Sequence, residues 1–179
     1  MYHPMKNKNN QEKNTYVRQH ILSALLELMR TQDFASISIK TLVNAAGVGR
    51  ASFYRNFASK EDVLQQESVR LTNAWKAEFE QAHPDGTPQQ GNEWLISLLD
   101  FYKEHAAFYL ALYRAGLSDI VLETILGYFD RAPEVPNALA YLNAAIGYMI
   151  YGWIQEWMRR GMQESGTELA RMLAESQKK

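Results

Sequence analysis

The sequence predicts an all-α protein of about nine helices joined by short connections. Apolar residues recur at spacings of three and four along most of the chain, which is the period of an amphipathic helix. The one β-branched stretch, residues 37–39, is too short to outweigh the helical pattern on either side of it. Prolines and glycines fall between the periodic segments, where they end one helix before the next begins.

The first helix is predicted to begin at Asn14 or Thr15. Residues 1–13 are polar and carry no apolar period, so we expect them to form a flexible arm. They also lack the apolar run of a secretory signal. The absence of cysteine does not decide the compartment, and a cytoplasmic protein is the default expectation. The apolar stripe of the helix is formed by Val17, Ile21, Leu25 and Leu28.

Two short helices joined by a glycine turn follow in the first third of the chain. Ser38 suits the N-cap of a helix over residues 39–46, and Gly47 stands where a helix needs a left-handed residue just past its end. Val48 supplies the hydrophobic contact that commonly follows such an ending. A second short helix then runs from about Arg50 to Asn56. This order is typical of a helix-turn-helix, whose second helix lies in the major groove of DNA.

The second helix of this motif has a buried face and an outward face. Phe53 and the following Phe57 are placed to hold it against the first helix. The outward face is polar and basic and is small at one position, as a helix in the major groove requires. The outward residues are Arg50, Ala51, Ser52, Tyr54, Arg55 and Asn56.

The same period predicts the later helices. Ser59 caps a long helix, and Pro84 and Gly86 lie in the break that follows it. These later helices are predicted over residues 60–82, 91–105, 106–115, 118–131 and 137–161, with a short final one after Gly166.

Charge separates the head from the body of the chain. Residues 1–60 carry nine Lys or Arg against three Asp or Glu, whereas residues 61–179 carry ten against seventeen. The net charge of −1 therefore conceals a head of +6 and a body of −7, which suits a polyanion-binding head. We divide the chain into a flexible arm (1–13), a helix-turn-helix domain (14–60) and a helical body (61–179).

Residues 34–64, with the sequence FASISIKTLVNAAGVGRASFYRNFASKEDVL, resemble the DNA-binding region of TetR-family regulators. The likeness covers about residues 14–65 and includes the alanine-glycine-valine turn and the aromatic pair inside the second helix. It implies a sequence-specific DNA-binding regulator whose second short helix is the recognition helix.

The resemblance also implies a role for each outward residue of the head. Arg50, Ala51, Tyr54 and Arg55 would approach bases, whereas Ser52 and Asn56 would contact phosphates. The rest of the expected DNA-binding set lies outside the recognition helix and consists of Lys40, Thr41 and Lys60. At the start of the long helix, Lys60 would bind phosphate with the help of the helix dipole.

Gly49 departs from the family pattern, which often has a serine at this position. Glycine is acceptable as an N-cap, so the departure weakens a cap without putting the fold in doubt. We also expect it to remove one hydroxyl contact to phosphate.

Residues 135–155 contain no charged side chain, a length that could span a bilayer. A buried helix is the preferred interpretation, because Pro136, Asn137, Asn143 and Gln155 interrupt the apolar character and no strongly basic flank follows. The resemblance implies a homodimer formed through the last two helices. A dimer suits the DNA prediction, because two recognition helices must lie about 34–36 Å apart on a pseudo-palindromic double-stranded operator.

Aromatic residues are concentrated in the body, and most of them are expected to be plain core. Tyrosine and tryptophan need partners for their polar atoms, so the concentration also indicates a cavity for an unidentified small-molecule effector. A lone histidine among them is more often structural than ligand-binding. The predicted effector-binding residues are Tyr102, His105, Phe108, Tyr109, Tyr113, Tyr148 and Trp153.

Residues 105–117 and 151–170 resemble the TetR subgroup that includes dihydroxyacetone-kinase-operon regulators, which implies shared architecture without a shared ligand. The leading interpretation is a ligand-responsive repressor that a small molecule releases from DNA. The alternative is an activator whose body docks a partner protein. An enzyme, a cofactor and a metal site are not expected, because the sequence offers no nucleophile–base pairing, metal-ligand cluster or glycine-rich phosphate loop.

Overall fold

The structure is a computed structural model that describes residues 4–84 and 91–176. These described residues form nine α-helices and no strand, which confirms the predicted all-α fold. The helices are α1 (Pro4–Met29), α2 (Ile39–Ala45), α3 (Arg50–Asn56), α4 (Lys60–Ala82), α5 (Gly91–Glu104), α6 (Ala106–Arg114), α7 (Ser118–Tyr128), α8 (Asn137–Arg159) and α9 (Gly166–Ser176). A short 3₁₀ turn, Phe34–Ser36, precedes α2.

The chain divides into two compact units, Met1–Glu67 and Ser68–Lys179, which we call the head and the body. The sequence-based boundary lay at residue 60, seven residues earlier, so the first two turns of α4 belong to the head. Those two turns contain three acids, Glu61, Asp62 and Glu67, which are therefore counted in the head. The head then carries nine Lys or Arg against six acids, and the charges become +3 and −4. The signs persist, but the contrast is smaller than the sequence division suggested.

Helix α1 begins at Pro4, about ten residues before the predicted start. The predicted flexible arm is therefore replaced by helix over residues 4–13, whereas residues 1–3 lie outside the described part of the chain. An apolar period cannot locate this start, because the segment is polar. Extending a helix that already exists requires no new nucleus, so a polar segment can continue it without an apolar stripe.

The core of the head is built from the apolar stripe of α1 and the two short helices. Ile21, Leu25, Leu42, Phe53 and Leu64 are each completely buried. Burying side chains of this size stabilises a fold by roughly 1.5–3 kcal/mol each relative to leaving them exposed. Packing against α1 therefore holds α2 and α3, which are only seven residues long and would not be stable alone.

In the body, α5 packs against α9, and α7 packs against α8. Glycines mark both contacts. A β-carbon on Gly147 of α8 would come within 2.7 Å of a side-chain carbon of Leu126 on α7. One on Gly166, at the start of α9, would come within 2.7 Å of the backbone nitrogen of Asp100 on α5. The approach of Gly166 to backbone needs a residue without a side chain, whereas the leucine side chain near Gly147 could move aside.

Helix α7 ends at Tyr128, three residues before the predicted end at residue 131. Phe129 adopts an extended backbone and is buried in the core, so it stops the helix before the prolines that follow. The apolar segment 135–155 lies largely within α8. Across the described segments, no helix has both the length and the hydropathy needed to cross a membrane.

Candidate nucleic-acid interface and effector site

The recognition helix α3 presents the outward face that the sequence predicted. Phe53 is completely buried and its ring lies edge-on to that of Tyr54, with centroids 5.3 Å apart. Tyr54 itself is 54% exposed, and Arg50, Ala51 and Arg55 are exposed beside it. A buried aromatic anchor thus supports two guanidinium groups and a phenol that are open to a partner.

The turn before α3 has the geometry expected of a helix-turn-helix. Ser38 caps α2, since its Oγ accepts a hydrogen bond from the backbone N–H of Thr41 at 3.0 Å. Gly47 has a φ of +64°, and the N–H of Val48 donates to the carbonyl of Val43 at 3.0 Å. This is the Schellman ending that a left-handed glycine permits. The predicted contact residues Lys40 and Thr41 are both exposed on α2.

Ser52 and Asn56 are half-buried on α3 and differ from the exposed residues between them. The Asn56 side-chain amide donates to the Ser52 carbonyl at 2.8 Å within the helix. One amide hydrogen is therefore used internally, and the second is the one that Asn56 can donate to a phosphate oxygen.

Lys60 lies in an environment that the sequence did not predict. Its ammonium donates to the carbonyls of Phe34, Ala35 and Ile37 and lies 4.3 Å from the centre of the Phe34 ring. An ammonium has three hydrogens, so these carbonyls can use all of them. Lys60 thus ties the 3₁₀ turn to the start of α4, and its predicted phosphate contact stays a prediction.

A polar network that the sequence analysis missed supports the end of the recognition helix. Arg18 donates to the Gln66 side-chain oxygen at 2.6 Å, and Gln66 donates to Asp62 at 2.9 Å. The same Gln66 nitrogen lies 3.4 Å from the Asn56 carbonyl, and the Arg18 guanidinium lies over the Phe57 ring at 5.2 Å. These contacts join residues up to 48 positions apart, which no local pattern reveals.

The structure brings together four of the seven predicted effector residues. The rings of Tyr102 and Tyr109 lie 4.4 Å apart, and Phe108 packs on Tyr109 at 5.1 Å. His105 joins them through Phe101, 5.2 Å away. Burial and the nearby Tyr109 raise the pKa of Tyr102 well above its usual value, so this phenol stays neutral.

The other three predicted effector residues are not shown in that cluster. Tyr113 and Trp153 are half-buried on α6 and α8. Tyr148 is 55% exposed on the outward face of α8, where it cannot line an enclosed cavity of one chain. Its place along that helix suits a protein contact better than an effector contact.

An open cleft of about 670 Å³ in the body has His105 on its wall beside Trp75 and Phe101. Carboxylates dominate its polar lining. They are Glu78, Glu93, Asp100 and Glu104. Within the described residues, no three His, Asp or Glu side chains are grouped so that they could hold a metal ion.

A second, smaller space is also lined by Trp75, and we call it the inner chamber. Of the predicted effector residues it includes Tyr102, and the sequence analysis overlooked Thr72 and Tyr128, which also line it. A signal was present: Thr72 is a polar residue on the apolar stripe that contains Leu71, Trp75 and Phe79. Its free space is only about 10 Å³.

Helix α8 leaves a continuous apolar stripe uncovered. Five large side chains along it are between 45% and 72% exposed. They are Leu139, Tyr141, Leu142, Tyr148 and Met149. The spacing of three and four residues places most of them on one face of the helix. A contiguous exposed patch of this kind marks an interaction surface on a protein.

Comparison with known proteins agrees with this architecture. Residues 21–66 match the family model of bacterial regulatory proteins of the tetR family, and residues 89–179 match that of a transcriptional regulator C-terminal region. The HTH-type transcriptional regulator AlkX of Mycobacterium tuberculosis is 26% identical over 134 residues. That alignment covers 72% of this chain and 61% of AlkX, so the chain spans about three fifths of this curated relative.

Three solved structures share the fold at low sequence identity. Lin0861 from Listeria innocua has a TM-score of 0.76 and 18% identity, over 93% of this chain and 91% of its own. A Syntrophomonas wolfei protein described as a TetR-family transcriptional regulator scores 0.65, with 16% identity and coverage of 92% and 94%. Thermus thermophilus FadR, a TetR-family transcriptional repressor in complex with lauroyl-CoA, scores 0.54, with 16% identity and coverage of 87% and 90%.

The second family model covers more than half of the chain, and the first covers the helix-turn-helix head. The head has the buried aromatic anchor and exposed basic face of a recognition helix, and the body has the expected helices. The chain belongs to the TetR family of bacterial regulatory proteins, which are DNA-binding transcription factors and not enzymes.

Proposed function

We propose that this chain is a ligand-responsive, sequence-specific transcriptional regulator, a repressor that a small molecule releases from operator DNA. The observation that carries the proposal is the exposed face of α3. Arg50, Tyr54 and Arg55 project from a helix that the completely buried Phe53 anchors. Helices of this kind lie in the major groove of DNA, where arginine side chains pair with the edges of guanine bases.

Each residue of the face has a proposed task. Arg50, Tyr54 and Arg55 contact base edges, and Ala51 leaves room for the helix to approach the bases closely. Ser52 contacts phosphate with its hydroxyl, and Asn56 does so with the amide hydrogen that its internal hydrogen bond leaves open. The exposed Lys40 and Thr41, at the start of α2, contact the backbone and fix the position of the head on the duplex.

The regulator acts as a homodimer that pairs through the apolar stripe of α8, together with α9. Two heads are needed because the half-sites of a pseudo-palindrome lie about 34–36 Å apart. The stripe supports this pairing, since Tyr141 and Tyr148 stand one above the other, seven residues apart, and are 72% and 55% exposed. Met172 of α9 adds a further apolar side chain that is 51% exposed.

Release from DNA follows from a population shift. A ligand that binds the body more tightly in one conformation favours a head spacing that no longer fits two adjacent grooves. FadR, which shares this fold, is a repressor whose structure holds lauroyl-CoA. The aromatic cluster around Tyr102 is the region of the body that suits an effector of this chain.

Fluorescence anisotropy with DNA from the promoter of the gene itself tests the proposal. Binding should be specific and should weaken steeply as salt concentration rises, because phosphate contacts release counterions. Arg50→Ala should reduce specific affinity by about 1–3 kcal/mol, or about 5-fold to 150-fold. Arg30→Ala is the matched control, since Arg30 is also exposed in the head but lies outside α3. If both variants bind alike, α3 does not enter the groove.

The second candidate is an activator whose body docks a partner protein. The uncovered stripe of α8 favours it to the extent that a different protein could occupy that surface. Co-purification from cell extract separates the two candidates. A stoichiometric protein partner together with no response of DNA binding to small molecules supports the activator, whereas release from DNA by a small molecule without such a partner supports the repressor.

A further inference from the structure

The inner chamber of the body is lined by aromatic and aliphatic side chains and one hydroxyl. Helices α4, α5, α7 and α8 all contribute to it, and no charged residue lines it. Its members are Thr72, Trp75, Trp94, Leu98, Tyr102, Ile125, Tyr128, Phe129 and Ile150. Unlike the open cleft with its four carboxylates, this chamber offers nothing to balance the charge of an ion.

Thr72 is an exception among the buried hydroxyls of the body. It is 92% buried, and its Oγ1 has no hydrogen-bond partner. Thr124, which is buried to the same degree, donates to the Ile120 carbonyl at 2.7 Å and pairs with the Ser68 hydroxyl at 2.9 Å. A threonine in a helix can donate its hydroxyl to a carbonyl of the same helix in this way. The Thr72 hydroxyl makes no such bond, so it remains available to a ligand.

Trp94, which also lines the chamber, carries a second buried polar atom. Its Nε1 is buried and lies near the Tyr128 side chain, in a contact that falls short of a hydrogen bond of normal geometry. The Nε1 of Trp75, by contrast, donates to the Ser97 hydroxyl at 2.9 Å. The indole N–H can only donate, and the hydroxyl can also donate. Both groups therefore suit an acceptor atom.

Tyr128 is the one residue of the chamber lining that is not buried. It is the last residue of α7, it is half-buried, and the ammonium of Lys76 lies 5.3 Å from its ring centre. The residues after it leave helical geometry at Phe129. In the present state the free space is about 10 Å³, the size of one water. A larger guest requires the Tyr128 ring to swing outward, which a helix terminus allows without breaking a helix interior.

We propose that the inner chamber binds an uncharged, mainly aromatic molecule through one acceptor oxygen, which the Thr72 hydroxyl and the Trp94 N–H hold together. The aromatic walls supply stacking and edge contacts, and the absence of charge excludes carboxylates and amines. The claim that this molecule is the effector rests on the proposed regulatory function. The claim that the chamber binds such a molecule is independent of that function.

Three probes of similar size separate these requirements in calorimetric titrations of the full chain. Acetophenone is neutral and has one acceptor oxygen, ethylbenzene lacks the oxygen, and benzoate adds a charge. We expect acetophenone to bind with a dissociation constant of about 1 mM or tighter, as fragment-sized ligands can. Ethylbenzene should bind about 5-fold to 10-fold more weakly for want of the hydrogen bonds, and benzoate should not bind.

Two threonine variants provide the matched test. Thr72→Val should abolish the preference for acetophenone over ethylbenzene while raising the melting temperature of the free protein, because it removes an unpaired buried hydroxyl. Thr124→Val should lower the melting temperature, because it breaks two hydrogen bonds, and should keep the preference. Equal binding of acetophenone and ethylbenzene, or a preference that survives Thr72→Val, overturns the proposal. So does a lack of binding by acetophenone, which would leave the chamber as core around a trapped water.

Operator binding is measured in parallel so that the two proposals can fail separately. If the protein binds operator DNA specifically but acetophenone does not bind, the regulatory function stands and the chamber proposal falls. If acetophenone binds selectively and operator DNA does not, the chamber stands and the regulatory function falls.

Discussion

Replacing Gly49 with serine should stabilise the head by completing the cap of the recognition helix. Gly49 is the N-cap of α3 with φ −79° and ψ 148°, and no side chain caps that end. Ser38 caps α2 with φ −81° and ψ 154°, almost the same backbone geometry, and accepts from Thr41 at 3.0 Å. A serine at position 49 should therefore accept from the N–H of Ser52 in the same way.

The gain can be worked out from two contributions. A serine cap exceeds a glycine cap by a few tenths of a kcal/mol. Removing a glycine at a compatible backbone reduces the entropy of the unfolded chain by about 0.4–1 kcal/mol. No atom lies within 4 Å of a β-carbon built on Gly49, so steric strain does not offset the gain. The expected total is about 1 kcal/mol, or about 2–4 °C in melting temperature.

Urea denaturation followed by circular dichroism measures this change, and Gly47→Ser is the control. Gly47 lies two residues away with φ +64°, where any side chain is strained, so its substitution should destabilise by about 1–2 kcal/mol. The two substitutions should therefore change the free energy of unfolding in opposite directions. If Gly49→Ser is neutral or destabilising, Gly49 does not cap α3 in the way that Ser38 caps α2.

Three further outcomes are expected. Lys60→Met should destabilise the head by about 1.5–3 kcal/mol in denaturation, because three carbonyls lose a charged donor; unchanged stability with weaker DNA binding would instead support a phosphate role. Tyr148→Glu should convert a dimer to a monomer in light scattering, and a surviving dimer would place the interface elsewhere. Hydrogen bonds from Arg159 and Arg160 lower the pKa of Glu156 to about 2. The contribution of this carboxylate to folding stability is therefore complete above about pH 4.5 and is lost as the pH falls towards 2. Glu156→Gln should remove this small acid-dependent part of the melting temperature, and an unchanged pH profile would contradict it.

The features that depend on a few neighbouring residues were predicted correctly from the sequence. The Ser38 cap, the left-handed Gly47 and the span of α3 all agree with the structure. Capping and backbone preference act within one or two turns, so their signals are present in the local sequence. The start of α1 was placed too late, since a polar segment that continues a helix carries no apolar period to reveal it.

The candidate effector site was predicted only in part, because its geometry depends on residues distant in sequence. Tyr102 and Tyr109 do meet, but Tyr148 faces outward and Thr72 was overlooked. Aromatic content indicates that a cavity is possible, yet it cannot say which rings share one.

The sequence by itself determined an all-α chain with a basic head and the four residues that α3 exposes, which are Arg50, Ala51, Tyr54 and Arg55. Only the tertiary structure decided the partners of long side chains. It directed the Lys60 ammonium to carbonyls 23–26 residues earlier and left the Thr72 hydroxyl unpaired in the body. The physical reason is the distance along the chain over which each kind of interaction acts. Helix period and caps depend on adjacent turns, whereas a buried polar atom finds its partner among whichever helices pack around it.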